Sequence, residues 1–343
     1  MTDSSLPPRL PPAPRRRVLT ADDYFDGVVQ GNLAMLARAF TLVESSAPKH
    51  HAIAEELLTR LMPHSGTGLR IGITGAPGAG KSTFIEALGL LLVQQHGLRV
   101  AVLAVDPSSG VTGGSILGDK TRMGRLAAEE NAFIRPSPSA GTLGGVANKT
   151  RECMLVAEAA GFDVVLVETV GVGQSETMVA EMTDCFLGLM LPGAGDELQG
   201  IKRGLLELLD VIAVNKADGK NAEAAALAAR QYHNALDSLS GRQSSETPAI
   251  MTCSALAKIG IDGVWDAVQS KCDARRKSGA FRRRRKEQNL RWLWAIVEDQ
   301  LRQALHTHPG VQEICEDVEN QVLAGVMPPA VGARRLMDVI IKT

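Results

Sequence analysis

The chain has 343 residues, a net charge of −1, and 45% hydrophobic against 22% charged residues. That balance is expected of a globular protein with room for one large α/β domain plus additions, and it offers no global field to attract nucleic acid. No apolar run is long enough to span a bilayer, and five dispersed cysteines without a Cys-x-x-Cys pair argue for reduced thiols in a cytoplasmic setting and against a zinc knuckle.

Residues 1–19 read as a disordered proline-rich tail. They carry no signal-peptide core, and Pro7, Pro8, Pro11, Pro12 and Pro14 stand against an amphipathic transit helix despite Arg15-Arg16-Arg17. A helical region is expected over 20–66. Thr20 with Asp22 and Asp23 is a helix start. One helix is predicted over 21–43, broken near Gly27 or Gly31, and a second over 49–61 before Pro63-His64-Ser65-Gly66 interrupts the chain.

Residues 67–258 alternate strands and helices, the pattern of an α/β fold with a mostly parallel central sheet flanked by helices. Apolar runs predict strands over 69–74, 99–105, 163–167, 185–191, 211–214 and 248–252, with helices over 83–96, 149–160 and 222–236. From 259 to 343 the chain reads as an all-α C-terminal extension, with helices over 261–276, 281–305, 311–324 and 330–340. Leu290, Leu293, Trp294, Val297 and Leu301 fall on one side of the long helix and need a surface to bury against; a packed face on the same domain is one answer, and a second copy of the chain, giving a homodimer, is the expected one. The basic stretches Arg275-Arg276-Lys277 and Arg282-Arg283-Arg284-Arg285-Lys286 lack interleaved aromatics, so they read as a solvated face or an inter-subunit salt-bridge surface rather than a nucleic-acid patch.

The chemistry gathers first on Gly75-Ala76-Pro77-Gly78-Ala79-Gly80-Lys81-Ser82-Thr83, which matches the phosphate-binding loop of nucleoside triphosphatases between a predicted strand and a predicted helix. Glycines let backbone N–H groups approach phosphate oxygens, and the helix N-terminus adds partial positive charge. Gly78, Ala79, Gly80, Lys81, Ser82 and Thr83 are therefore candidate nucleotide ligands, with Lys81 reaching the β- and γ-phosphates and Ser82 holding Mg²⁺. Asn215-Lys216-Ala217-Asp218 matches N-K-x-D, where the Asp218 carboxylate accepts two hydrogen bonds that guanine offers and adenine does not, Lys216 lies over the base, and Asn215 ties this loop to the phosphate loop. Ser254-Ala255-Leu256 follows the last predicted strand and matches the loop that meets guanine O6. The two base-reading elements in this order predict GTP and GDP as ligands.

On the hydrolysis side, Glu168 ends a predicted buried strand and Gly171 follows at the third position, the place of a D-x-x-G element. Glu168 is a candidate for holding Mg²⁺ through water and Gly171 for sensing the γ-phosphate. Asp106 and Asp119 are further candidate metal ligands. Val172 stands where a water-positioning glutamine is usual, so slow intrinsic hydrolysis is expected, completed by Gln174 or by the glycine-rich segment 192–202 with Asp196 and Lys202.

These motifs, with Val105-Asp106-Pro107-Ser108-Ser109, Gly118-Asp119-Lys120-Thr121-Arg122-Met123, the string from Glu168 to Glu176 and the string from Pro192 to Lys202, resemble the methylmalonyl-CoA mutase-associated GTPase chaperones of the metallochaperone-type branch of P-loop GTPases. The resemblance covers roughly residues 20–343. It implies a GTP-hydrolysing chaperone that binds an adenosylcobalamin-dependent methylmalonyl-CoA mutase, gates cofactor loading and protects the mutase from inactivation. It also implies dimerisation through the helical extension and gives Lys202 weight as a hydrolysis residue. A metal-insertion GTPase of the same branch is one alternative, although such proteins usually carry a His-rich stretch or a Cys motif that is missing here. A P-loop kinase is the other.

Overall fold

The computed structural model describes residues 18–105, 123–136, 143–169, 174–193, 203–239 and 247–341. Three helices come first: α1 (Ala21–Val29), α2 (Leu33–Glu44) and α3 (Pro48–Leu61). Thr20 and Asp23 form a capping box at the start of α1. The predicted 21–43 helix breaks at Gly31, whose φ of +70° belongs to the left-handed region, and Asn32 restarts the chain by accepting from the Ala34 and Met35 N–H groups. Leu36, Phe40, Leu57 and Leu61 are fully buried, so this region packs on the α/β layer instead of standing apart from it.

The central sheet has seven strands, all parallel: β1 (Leu69–Gly75), β2 (Val100–Val105), β3 (Ala132–Arg135), β4 (Val164–Thr169), β5 (Cys185–Met190), β6 (Val211–Val214) and β7 (Ala249–Thr252). Their order is β3-β2-β4-β1-β5-β6-β7. Helices α4 (Lys81–Gln94), α5 (Leu143–Ala159), α6 (Gln174–Ala180), α7 (Arg203–Leu208) and α8 (Ala222–Leu239) lie between strands. Two separate apolar clusters cover the two faces, one built with α5, α8 and the N-terminal helices, the other with α4. Double-sided burial explains why β4, β5 and β6 read as continuous apolar runs. The chain leaves β1 for strands on one side and later places β5 on the other, so a crevice opens at the carboxyl end of β1. Edge strand β3 was not anticipated. It has four residues, and its burial alternates instead of running apolar.

The C-terminal extension comprises α9 (Ile261–Lys277), α10 (Ala280–Thr307), α11 (Pro309–Leu323) and α12 (Pro329–Ile341). Val264, Trp265, Val268 and Cys272 seat α9 on the sheet layer, and Gly279 at φ +73° turns the chain into α10. Along α10 the side chains of Leu290, Leu293, Trp294 and Leu301 remain more than half exposed, and Val297 is half-buried.

The basic stretches need a correction. Arg276, Lys277, Arg282, Arg283 and Lys286 are exposed, as a solvated face requires. Arg275, Arg284 and Arg285 instead bind within the chain. Arg285 forks Asp184 at 2.7 and 2.6 Å and donates to Gly66 O and Gly68 O. Arg275 pairs with Asp210 and donates to Asp184 O, and Arg284 donates to Ala180 O and Thr183 O. The reason lies at the amino-terminal edge of the sheet. Asp163, Asp184 and Asp210 each precede a strand and accept a neighbouring backbone N–H, from Arg99, Arg70 and Phe186 respectively. The junction of α9 and α10 crosses this edge, where Arg275 and Arg285 meet Asp210 and Asp184 and all three arginines meet backbone carbonyls.

Candidate functional site

The crevice at the end of β1 is lined by the phosphate-loop residues. Gly75 passes so close to β5 that a Cβ there would lie 2.4 Å from Leu189 O. Gly80 has φ +88°, and a Cβ on it would meet Asn215 Nδ2 at 2.9 Å. Only glycine serves at these two positions. Gly80 opens α4, so Lys81, Ser82 and Thr83 form that helix's first turn, where free N–H groups favour an anion.

Lys81 Nζ donates to Gly75 O at 2.7 Å and to Ala76 O at 3.3 Å, curling back over the loop. Burial lowers its pKa, and Glu168 and Glu176 pull the other way. Ser82 Oγ donates to Glu168 Oε1 at 3.1 Å. Glu168 is buried, one residue before the end of strand β4, and presents a hard oxygen beside a second one from Ser82. That donor pair suits Mg²⁺.

The base-reading elements converge as well. Asn215 Nδ2 donates to Ala79 O at 2.8 Å, and Asn215 Oδ1 accepts from Ala255 N at 3.0 Å. One buried side chain thus joins the ends of three elements, which is the tie the sequence pattern called for. Lys216 sits exposed at φ +60°, an unusual backbone state for a residue other than glycine, while Ala217 N donates to Cys253 O. Ser254 Oγ donates to Asp218 Oδ2 in a short hydrogen bond and also accepts from Ala257 N at 3.1 Å. Ser254 thus holds Asp218 by one carboxylate oxygen. Leu256 is exposed next to it.

A relay beneath the phosphate loop escaped the sequence reading. Thr169 Oγ1 donates to Thr74 Oγ1, and Thr74 Oγ1 donates to Glu176 Oε1, both at 3.1 Å. Both threonines are fully buried, and the relay links β1, β4 and α6. The usable signal was a hydroxyl residue at the end of each of two otherwise apolar strands. Asp106, Asp119, Gly171, Asp196 and Lys202 lie outside the described residues. Among the described residues no cluster of three His, Cys, Asp or Glu residues is arranged to hold a metal, and no helix is long and apolar enough to cross a membrane.

A crystal structure of an LAO/AO transport system kinase shares the fold, with a TM-score of 0.74 and 42% sequence identity over 94% of this chain and 98% of that one. GTPase ArgK of Escherichia coli strain K12 is 50% identical over 311 residues, covering 91% of this chain and 94% of that protein. The mitochondrial methylmalonic aciduria type A homolog of Mus musculus is 41% identical over 331 residues, covering 94% of this chain and 79% of its own length. Residues 36–310 match the family described as methylmalonyl Co-A mutase-associated GTPase MeaB, and the chain belongs to that family.

Proposed function

We propose that this protein hydrolyses GTP to GDP and phosphate and uses that cycle as a chaperone of an adenosylcobalamin-dependent methylmalonyl-CoA mutase, gating cofactor loading and protecting the mutase. The observation that carries the nucleotide half is Asn215, which fastens the phosphate loop to both base-reading loops. Guanine specificity follows from an Asp218 carboxylate held by Ser254. The mutase half rests on the family to which the chain belongs and on the description of its mouse relative.

In this reading Lys81 leaves its carbonyl partners for the β- and γ-phosphates, and Ser82 and Glu168 hold Mg²⁺, which neutralises phosphate charge when bound. Gly78, Ala79, Gly80 and Thr83 supply backbone and hydroxyl donors to the phosphates. Asp106 and Asp119 are proposed as further metal ligands, Gly171 as the γ-phosphate sensor, and Asp196 and Lys202 as residues that complete the site when the mutase docks. The exposed apolar face of Leu290, Leu293, Trp294 and Leu301 supports a homodimer formed through the extension.

The test is steady-state turnover of GTP and ATP with and without the mutase. GTP-only hydrolysis that rises with mutase is expected. Lys81→Ala should abolish nucleotide binding, whereas Lys202→Ala should bind GTP and lose the stimulation. Turnover indifferent to saturating mutase would sink the chaperone reading and leave the GTPase standing.

A further inference from the structure

A cavity of about 380 Å³ opens at the opposite end of the sheet from the phosphate loop, between the 62–66 turn, α5, the end of α6 and the base of α10. Arg70 on its wall is five residues from Gly75 along β1, so the cavity is about 16 Å from the nucleotide crevice at strand rise. Its size falls at the small end of ligand pockets.

Three guanidiniums border it, those of Arg70, Arg151 and Arg285. Two are neutralised. Arg70 forks Glu158 at 2.8 and 2.9 Å, and Arg285 forks Asp184. Arg151 has no ion-pair partner among the described residues; its guanidinium lies over the Trp292 ring, 5.8 Å from the centroid. Its one hydrogen bond runs from Nη1 to Gln288 O at a long 3.3 Å, and its Nε is buried without an acceptor. Trp292 Nε1 and Gln288 Oε1, on the same wall, are also buried without a partner. Gln288 is 3% exposed, and its Nε2 donates to Thr183 O, which fixes the amide so that Oε1 is the atom left over. Buried polar atoms are nearly always satisfied, so these orphans mark a place built for something polar; the Arg151 and Trp292 N–H groups are donors that a carboxylate can accept from, while Gln288 Oε1 is an acceptor that takes its hydrogen from elsewhere, such as water. Burial pushes the Arg151 guanidinium down to about 10, with Arg291 and Arg70 acting the same way and Glu181 opposing. The rest of the wall is mixed: Met62, Leu155 and Met182 give it an apolar stretch, and Ser65, Gly66 and Asn289 complete it.

We infer that this cavity binds a small organic monocarboxylate, its carboxylate on the guanidinium of Arg151, which has no ion pair, and its apolar tail against Met62 and Met182. A guanidinium with no ion pair calls for one negative charge, and the apolar stretch of Met62, Leu155 and Met182 favours an acid with an apolar tail over a bare inorganic anion. Gln288 and Trp292 belong to α10 and Arg151 to α5, so an occupant would clamp the extension onto the nucleotide domain.

Ligand-observed NMR on the full-length, GDP-loaded protein tests this with acetate, butyrate, hexanoate, butanol and inorganic phosphate as probes. Saturable binding of butyrate or hexanoate is expected, with affinity rising along the acid series and butanol and phosphate weaker. Arg151→Met should weaken hexanoate at least about tenfold while nucleotide affinity is kept. Absence of saturable acid binding, equal affinity in Arg151→Met, or preference for butanol or phosphate would overturn the assignment. Should Arg151→Met fail to fold, Met62→Trp at a half-exposed position narrows the cavity instead. Hexanoate must then lose more affinity than acetate, and unchanged affinity for both overturns the proposal.

Discussion

Asn215 reaches across the nucleotide crevice to Ala79, its Nδ2 donating to the phosphate-loop carbonyl at 2.8 Å while its Oδ1 accepts from Ala255 N. Asn215 is itself buried, so truncation leaves a carbonyl and an N–H without partners in a water-poor place. Each orphan costs about 1–3 kcal/mol. Asn215→Ala should therefore weaken GDP and GTP binding by about tenfold or more and lower the melting temperature of the nucleotide-free protein too. A fluorescent-nucleotide titration beside a thermal melt checks both; full affinity in the variant would mean that the loops are held apart from this side chain.

Base choice is a separate matter. Ser254 fixes one Asp218 oxygen, and in the proposed function this carboxylate accepts from guanine N1 and N2. Asp218→Asn puts a donor where guanine also donates. Losing two hydrogen bonds to a charged acceptor, each worth about 1.5–3 kcal/mol, should cost GTP about a hundredfold or more in affinity. A xanthine nucleotide, which offers an acceptor oxygen in place of the amino group, should bind the variant better than GTP does. Competition of the two nucleotides for the variant measures the switch. Ser254→Ala, which only frees the carboxylate, should lose less.

What the sequence made legible follows from where information is local. Phosphate-loop, N-K-x-D and Ser-Ala-Leu strings are contiguous, and each sits at a strand end that its own apolar run announces, as Val211–Val214 announces Asn215. Arg285 is a different case. Its partners Gly66 and Asp184 lie 219 and 101 residues away, and nothing near Arg285 distinguishes it from solvated Arg282 and Arg283. Thr74 and Thr169 meet only because β1 and β4 are neighbours, a fact of strand order. The break at Gly31 was visible as a choice between two glycines and settled by Asn32 beyond the second.

The arginine junction predicts an uneven mutational profile. Asp184 is almost fully buried, and Arg285 supplies two of its short bonds. Arg285→Ala strands that carboxylate and should destabilise the protein by about 3–5 kcal/mol. Arg285→Lys should recover little, because an ammonium cannot fork a carboxylate and reach two carbonyls together. Arg282→Ala and Arg283→Ala, exposed on the same helix, should stay within about 0.5 kcal/mol of wild type. Denaturant unfolding of the four variants checks the pattern, and equal losses at all four would refute the distinction between anchoring and solvated arginines.

Alkaline pH should loosen the fold through its thiols. Burial pushes the Cys253 thiol up to about 12. Cys153, through burial, and Cys185, through its hydrogen bond with Cys272 and burial, are raised well above the ordinary thiol value. The unfolded chain releases these protons near pH 8.5, whereas the folded chain keeps them. Above that pH the unfolded state binds fewer protons, so stability is full below about 8.5 and falls as pH rises towards the folded values, by about 1.4 kcal/mol per unit for each thiol. Denaturation midpoints between pH 8 and pH 10 should drop steeply in wild type and less steeply in Cys253→Ala, with the approximate range set by those thiol values. A thiol reagent at pH 8 should label half-exposed Cys315 first and reach Cys153, Cys185, Cys253 and Cys272 only as the protein unfolds, at about the pH where free thiols begin to ionise. Rapid labelling of all five in the native protein, or a flat pH profile, would show that these thiols are not sealed in the apolar layers.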